Sequence, residues 1–265
     1  MTPLALVLAT AVTVNTGGVA VLPLPEGAVD VTYGDEEALI VADHVIIGVA
    51  LNAKPGKHEV VARTTSGETT LEFEVVGKQY PEQRLTIANR RQVNPLPEDL
   101  ERIERESRRS RAAYARRTPM RPNLLPFKQP VQGIYSSPFG LRRFLNDQPR
   151  SPHSGLDIAA DTGTPIAAPA PGTVALTGDF FFSGNIVLLD HGGGLVTMYG
   201  HLDRIDVEEG QAVDRGDIIG TVGATGRVTG PHLHWTVSIQ GNRVDPVVVM
   251  QAFDNLADTT AIDPQ

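Results

Sequence analysis

Five side chains in three short segments could gather around one ion. The segments are His153-Ser-Gly-Leu-Asp157, Tyr199-Gly-His201-Leu and Gly230-Pro-His232-Leu-His234-Trp235, and they hold four of the chain's seven histidines beside an aspartate. Two imidazole nitrogens and one carboxylate, with a coordination position left open, make the ligand set of a hydrolytic zinc site. Residues two apart on a strand share a face, so His232 and His234 can converge on one centre. Each piece has a bland alternative: a satisfied structural histidine for His153, a surface one for His201, and two exposed strand histidines for the last pair. Their joint occurrence in glycine-rich strand-and-turn surroundings favours the metal site.

Further motifs run in order from Ile134-Tyr-Ser-Ser-Pro-Phe-Gly140 to Arg243-Val-Asp-Pro246. Between them stand Gly163-Thr-Pro-Ile-Ala-Ala-Pro169, Gly172-Thr-Val, Asp190-His-Gly and Gly216-Asp-Ile-Ile-Gly220. This stretch resembles the lysostaphin-type (LytM-like) zinc endopeptidases, which cut peptide bonds in bacterial cell-wall peptidoglycan. The resemblance implies one Zn2+ per chain, held by His153, Asp157 and His234, with His201 and His232 as the catalytic histidines. It also implies peptidoglycan stem peptides as substrate, a cross-link rather than a pentaglycine bond as target, and an exported, periplasmic or envelope-associated protein. Some members carry a tyrosine shortly before the first metal histidine as an oxyanion helper. This chain has none between Leu141 and His153, where Gln148 and Arg150 stand.

The chain lacks a His-Glu-x-x-His helix, so no glutamate base of that type is on offer, and His201 and His232 are the candidates to move the protons. A neutral imidazole can accept a proton from water, and an imidazolium can protonate a leaving amine. Which histidine does which stays open. Two alternatives stand beside the hydrolase. One is a catalytically silent LytM-like factor that binds peptidoglycan or activates an amidase, although none of the five positions is lost. The other is an enzyme kept latent by its first domain or by the helix at 98–117.

The elements that must position these residues are strands. A length of 265 residues suggests two domains, and 41% hydrophobic with 20% charged residues is ordinary for a soluble globular protein. Twenty-six glycines, twenty prolines and few aromatics favour short strands and tight turns, and the absence of cysteine excludes disulfides and thiolate ligands. The fold class read from these patterns is mainly β. An Ig-like β-sandwich is expected over 1–80, a helical and Pro-rich linker over 81–130, an antiparallel LytM-like domain over 131–250, and a tail over 251–265. In Thr70–Val76, Leu71, Phe73 and Val75 alternate with glutamates, the mark of a half-buried strand. Pro97 opens a helix rich in acid-then-base pairs that runs to about Arg117. Leu141–Pro152 reads as a polar loop. Phe180-Phe-Phe182 reads as an exposed aromatic cluster, either lining a groove or packing on the sheet. His191 reads as a turn or surface residue, and His44 and His58 as structural or surface ones.

Of the net charge of −8, residues 1–80 carry four basic and ten acidic groups, and 121–265 carry nine and fifteen. Residues 81–120 reverse the sign with ten basic and six acidic groups. A short basic stretch interleaved with acids is no nucleic-acid surface, and suggests instead that the middle segment docks on an acidic neighbour. Leu4–Val14 is apolar and Ala9-Thr-Ala11 resembles a small-residue cleavage site. No Lys or Arg precedes it, the run is too short to span a membrane, and an edge strand is the alternative.

Overall fold

The structure, a computed structural model, describes residues 12–120 and 123–262, so most of the Leu4–Val14 run, with its Ala9-Thr-Ala11 motif, lies outside the described residues. In the first part of the chain, strands Val12–Asn15, Gly67–Val76, Gly56–Thr64, Ala28–Tyr33 and Glu36–Glu37 form one sheet; Val19–Pro23, His44–Gly48 and Leu39–Val41 form another. The alternation in Gly67–Val76 buries Phe73 and Val75 and leaves Glu72 and Glu74 exposed. Together with Ala20, Leu22, Val31, Val45, Ile47 and Val60 they form one apolar core. His58 bonds the Tyr33 hydroxyl and the Lys54 carbonyl, and His44 bonds the Ala42 carbonyl, so both are structural.

The middle segment is more than a connection. Glu82–Leu85 pairs in parallel with Arg142–Leu145, which turns back through Asn146 and Asp147, at φ 49° and 62°, to pair with Gln148–Pro149. The expected loop over Leu141–Pro152 is therefore a hairpin. Two consecutive left-handed residues suit its two-residue turn, and Asn and Asp tolerate that conformation. Helix α1, Pro97–Tyr114, starts where the Asp99 carboxylate accepts the Leu96 N–H at 2.9 Å. It stops short of Arg117 because the last basic residues turn away to acids on both halves. Arg116 pairs with Asp190 at 3.2 Å and Arg117 with Glu36 at 2.6 Å. Further up, Arg102 reaches Asp179 at 3.0 Å and Arg109 reaches Glu209 at 2.9 Å. Ala113 and Tyr114 pack on Leu176, Ile186 and Leu188. The basic stretch does dock on acidic neighbours.

Most strands of the second half form one antiparallel sheet. Its central strands are β1 (Leu156–Ala159), β2 (Gly172–Phe180), β3 (Gly184–Gly192), β4 (Leu195–Ile205) and β5 (Leu233–Ile239). Across the sheet the order is Ile134–Ser137, β1, β5, β4, β3, β2, Ala212–Val213. β5 is buried along its whole length, with Trp235 packed on Phe127. Residues 251–262 continue helix α2, Pro246–Ile262, which buries Val249, Phe253 and Leu256. β-Branched residues such as those of its opening Val247-Val-Val249 run favour sheets. Burial of one helix face on the sheet overrides that preference, with Phe253 edge-on to Phe127 at 5.5 Å. The same core takes in Val19, Leu39, Val41 and Ile46 from the first half. No helix among the described residues is long and apolar enough to cross a membrane.

Candidate metal centre

Strand register brings the candidate ligands together. Asp157 on β1 stands opposite His234 on β5, and His234 stands opposite Gly200 on β4. Side chains so paired have Cβ atoms about 4.5–5.5 Å apart. His232 lies two residues before His234, on the same side, and bridges to Gly223. His201 follows Gly200 at a β-bulge in β4 and takes the left-handed conformation, φ 66°, with its N–H on the Ser183 carbonyl at 2.8 Å. The extra residue of a bulge re-aims a side chain, here out of strict alternation and toward the His234 ring. His153 precedes the bend at Ser154-Gly155 and is fixed through its backbone to Leu141 and Gly140. Gly155 is required there: a Cβ would come within 2.5 Å of the Trp235 carbonyl and 2.8 Å of the His234 ring.

The result is a buried cluster of three potential ligand atoms. Asp157 Oδ1 is 3.0 Å from His153 Nε2 and 2.7 Å from His234 Nδ1, and those two nitrogens are 3.0 Å apart. The Pro138 carbonyl, which can only accept, lies 2.8 Å from His153 Nδ1, so that nitrogen bears the proton and Nε2 presents a lone pair. His234 Nε2 has the Thr236 hydroxyl at 3.2 Å, which leaves Nδ1 facing the cluster. Two ring nitrogens and a carboxylate crowded on one point form a donor set that a divalent cation satisfies. Bonds of about 2.0–2.1 Å in a tetrahedron place ligand atoms about 3.3 Å apart, close to the spacing seen. The other carboxylate oxygen, Oδ2, is held by Arg143 at 2.9 Å.

Electrostatics follow from burial. Desolvation raises the Asp157 pKa, but hydrogen bonds and charge from His153 and His234 outweigh it and hold the carboxyl well below its usual range. Burial, aided by His153 and Arg143, pushes His234 down to about 4 despite Asp157. Burial, then His234 and His232, push His201 down to about 3. His201 is thus neutral near pH 7. Its Nδ1 bonds the Thr225 carbonyl at 2.9 Å, and His232 Nδ1 bonds the Gly230 carbonyl at 2.9 Å. Among the described residues neither Nε2 has a hydrogen-bond partner; the rings lie 4.9 Å apart between centroids, and His232 Nε2 is 3.8 Å from Asp157 Oδ1.

All five sequence candidates come together here. His191 is not a surface residue: it is fully buried between the Pro171 carbonyl at 2.7 Å and the Thr197 hydroxyl at 2.8 Å, away from the cluster. The hairpin glycines that suggested exposure are themselves covered by the chain at Pro119–Met120. Of the phenylalanine trio, Phe180 is buried under α1 with Arg109 above it, while Phe182 lines a groove beside the histidines with Arg227 stacked on it at 4.5 Å. Sequence reasoning missed Arg143 and Arg227. Neither lies at ligand spacing, and only the hairpin pairing turns Arg143 toward Asp157.

Three candidate ligand atoms of His153, Asp157 and His234, with two further imidazoles beside them on an antiparallel sheet, form a group that could hold a metal ion. Residues 151–246 match the family model of Peptidase family M23. A crystal structure described as that of a 'putative peptidase M23' from Pseudomonas aeruginosa is 42% identical and superposes with a TM-score of 0.75, the match covering 93% of this chain and 97% of that one. The chain belongs to peptidase family M23. The DD-carboxypeptidase/endopeptidase Mpg of Neisseria meningitidis serogroup B is 44% identical over 114 residues, 43% of this chain and 26% of that protein. The peptidoglycan DD-endopeptidase ShyA of Vibrio cholerae is 44% identical over 102 residues, 38% of this chain and 23% of that protein. The chain thus spans about a quarter of the length of these curated relatives.

Proposed function

We propose that this chain is a zinc-dependent endopeptidase that hydrolyses a peptide bond, a cross-link of the stem peptide, in bacterial peptidoglycan, and that it works in the cell envelope. The observation that carries the reading is the triad of candidate ligand atoms within 3.0 Å of one another, flanked by two imidazoles whose Nδ1 atoms are held by backbone carbonyls. The wall-peptide substrate is supported by the names of the relatives that share this stretch.

In this reading His153 Nε2, Asp157 Oδ1 and His234 Nδ1 hold the metal. When bound, zinc supplies Lewis acidity, polarising the scissile carbonyl and bringing the pKa of water towards neutrality. The Pro138 carbonyl and Thr236 hydroxyl orient the two ligand rings, and Arg143 turns one Asp157 oxygen inward. His201, kept neutral by burial, takes a proton at Nε2 from the attacking water. His232, beside Asp157, carries a proton at Nε2 to the leaving amine. Each such transfer contributes roughly 10²–10⁴-fold in rate. We further propose residues 1–80 and 131–250 as the two domains, with 81–130 joining them.

The test is incubation of the zinc-loaded chain with purified peptidoglycan, with mass analysis of the soluble products. One new amine and one new carboxylate per cut, lost on chelation and restored by zinc, is the expected result. Zinc binding without any released peptide would leave a silent wall-binding factor instead.

A further inference from the structure

The groove of about 550 Å3 that opens from the histidine cluster is lined by Arg143, Arg150, Arg227 and Arg243. Among the described residues no aspartate or glutamate lines it, although the chain as a whole carries a net charge of −8. Arg143 is committed to Asp157 at 2.9 Å. Arg243 lies over the Tyr114 ring at 4.8 Å. Among the described residues, Arg150 and Arg227 face only neutral acceptors. Arg150 donates to the Val93 carbonyl at 2.8 Å, the Gln148 amide oxygen at 2.8 Å, the Asn94 amide oxygen at 3.3 Å and the Pro149 carbonyl at 2.8 Å. Arg227 donates to the Gln92 carbonyl at 3.2 Å and stacks on Phe182.

Partly buried cations are ordinarily paired, because withdrawing charge from water is costly unless an opposite charge offsets it. Burial, followed by repulsion from Arg143 and Arg150, pushes the Arg227 guanidinium down to about 10. Arg227 also lines a second cavity of about 190 Å3 with Asp157, His201 and His232, which places it between the groove and the catalytic histidines. A planar guanidinium has the donor geometry that a carboxylate accepts in pairs.

We propose that Arg150 and Arg227 form a subsite for a free carboxylate of the peptide being cut. The carboxylate replaces the Gln92 and Val93 carbonyls as acceptor, exchanging neutral hydrogen bonds for charge-assisted ones. The subsite rests on the peptidase reading and deepens it: it selects acidic peptides, among which wall stem peptides with free carboxyl groups fall, over amidated ones.

The test compares two synthetic cross-linked stem peptides that differ only in free carboxylates against carboxamides. The zinc-loaded full chain is expected to favour the acid in kcat/KM by roughly ten- to hundredfold, the worth of one or two charge-assisted hydrogen bonds. In Arg227→Gln and Arg150→Gln the acid-to-amide ratio falls towards one, and Arg227→Lys restores part of it. Titration of both peptides into the zinc-loaded His232→Ala chain reads the same preference as affinity, without turnover. Equal kcat/KM and equal affinity for the two peptides, or an unchanged ratio in both Gln variants, would overturn the subsite. Failure of the native chain to cut either peptide, with the affinity difference intact, would remove the peptidase reading and leave the carboxylate site standing.

Discussion

His153, Asp157 and His234 are interchangeable in the crowding they cause but not in how they are held. Asp157 carries the charge and is oriented by Arg143, whereas the two rings are each fixed by a neighbour on the far nitrogen. His153→Ala and His234→Ala are each expected to abolish stoichiometric zinc uptake in equilibrium dialysis and activity with it. His232→Ala keeps the metal yet loses roughly 10²–10⁴-fold in kcat, the range of one general acid–base group. Zinc-free His232→Ala protein would contradict that division. Away from the site, His191 gives a pH signature. Burial pushes it down to about 4 in the folded state, against an ordinary 6.5 when unfolded. As pH falls below 6.5 the unfolded chain binds a proton that the folded chain refuses, so stability is lost down to about pH 4. At about 1.36 kcal/mol per unit, this amounts to about 3 kcal/mol. His191→Gln should flatten that part of the chemical-denaturation profile, and an unchanged slope would show that His191 does not set it.

Strands and bends do the positioning. Ser154-Gly155 turns the chain so that His153 and Asp157 reach one point without a helix, and Gly155 lies against the backbone of β5. Gly155→Ala is expected to weaken zinc binding at least tenfold while the rest of the sheet persists by circular dichroism; native zinc affinity would mean that β5 yields more readily than its burial implies. The strands were legible in the sequence, as in the period-2 alternation of Thr70–Val76, and the grouping of His153, Asp157 and His234 followed from the family resemblance together with the His-x-His spacing. The left-handed bulge at His201, the hairpin carrying Arg143 and helix α2 were not. Each depends on a partner far along the chain: Ser183 for His201, Glu82–Leu85 for the hairpin, and the sheet face under Phe253.

Both halves of the chain meet through apolar side chains and not through a flexible tether. Val19, Leu39 and Ile46 share a core with Ile239, Val244 and Val249, the Gly17 carbonyl accepts from Asp245 N–H, and Asn242 bonds the Gly48 carbonyl at 3.0 Å. Arginines of 102–117 tie the middle segment to both sides. Calorimetry should therefore show one cooperative transition for the full chain. Two well-separated transitions would indicate independent domains. Phe253→Ala should cost about 3–5 kcal/mol, since it opens a cavity against Phe127 at the base of the sheet. A loss below 1 kcal/mol by denaturant titration would contradict the place given to α2.

The central claim is that one divalent ion is bound by three side chains brought together by strand register. Anomalous diffraction at the zinc edge, on crystals of the zinc-loaded chain, tests it most directly. One peak is expected, with His153 Nε2, Asp157 Oδ1 and His234 Nδ1 about 2.0–2.2 Å away. A peak bound elsewhere, or none at full zinc loading, would contradict the account.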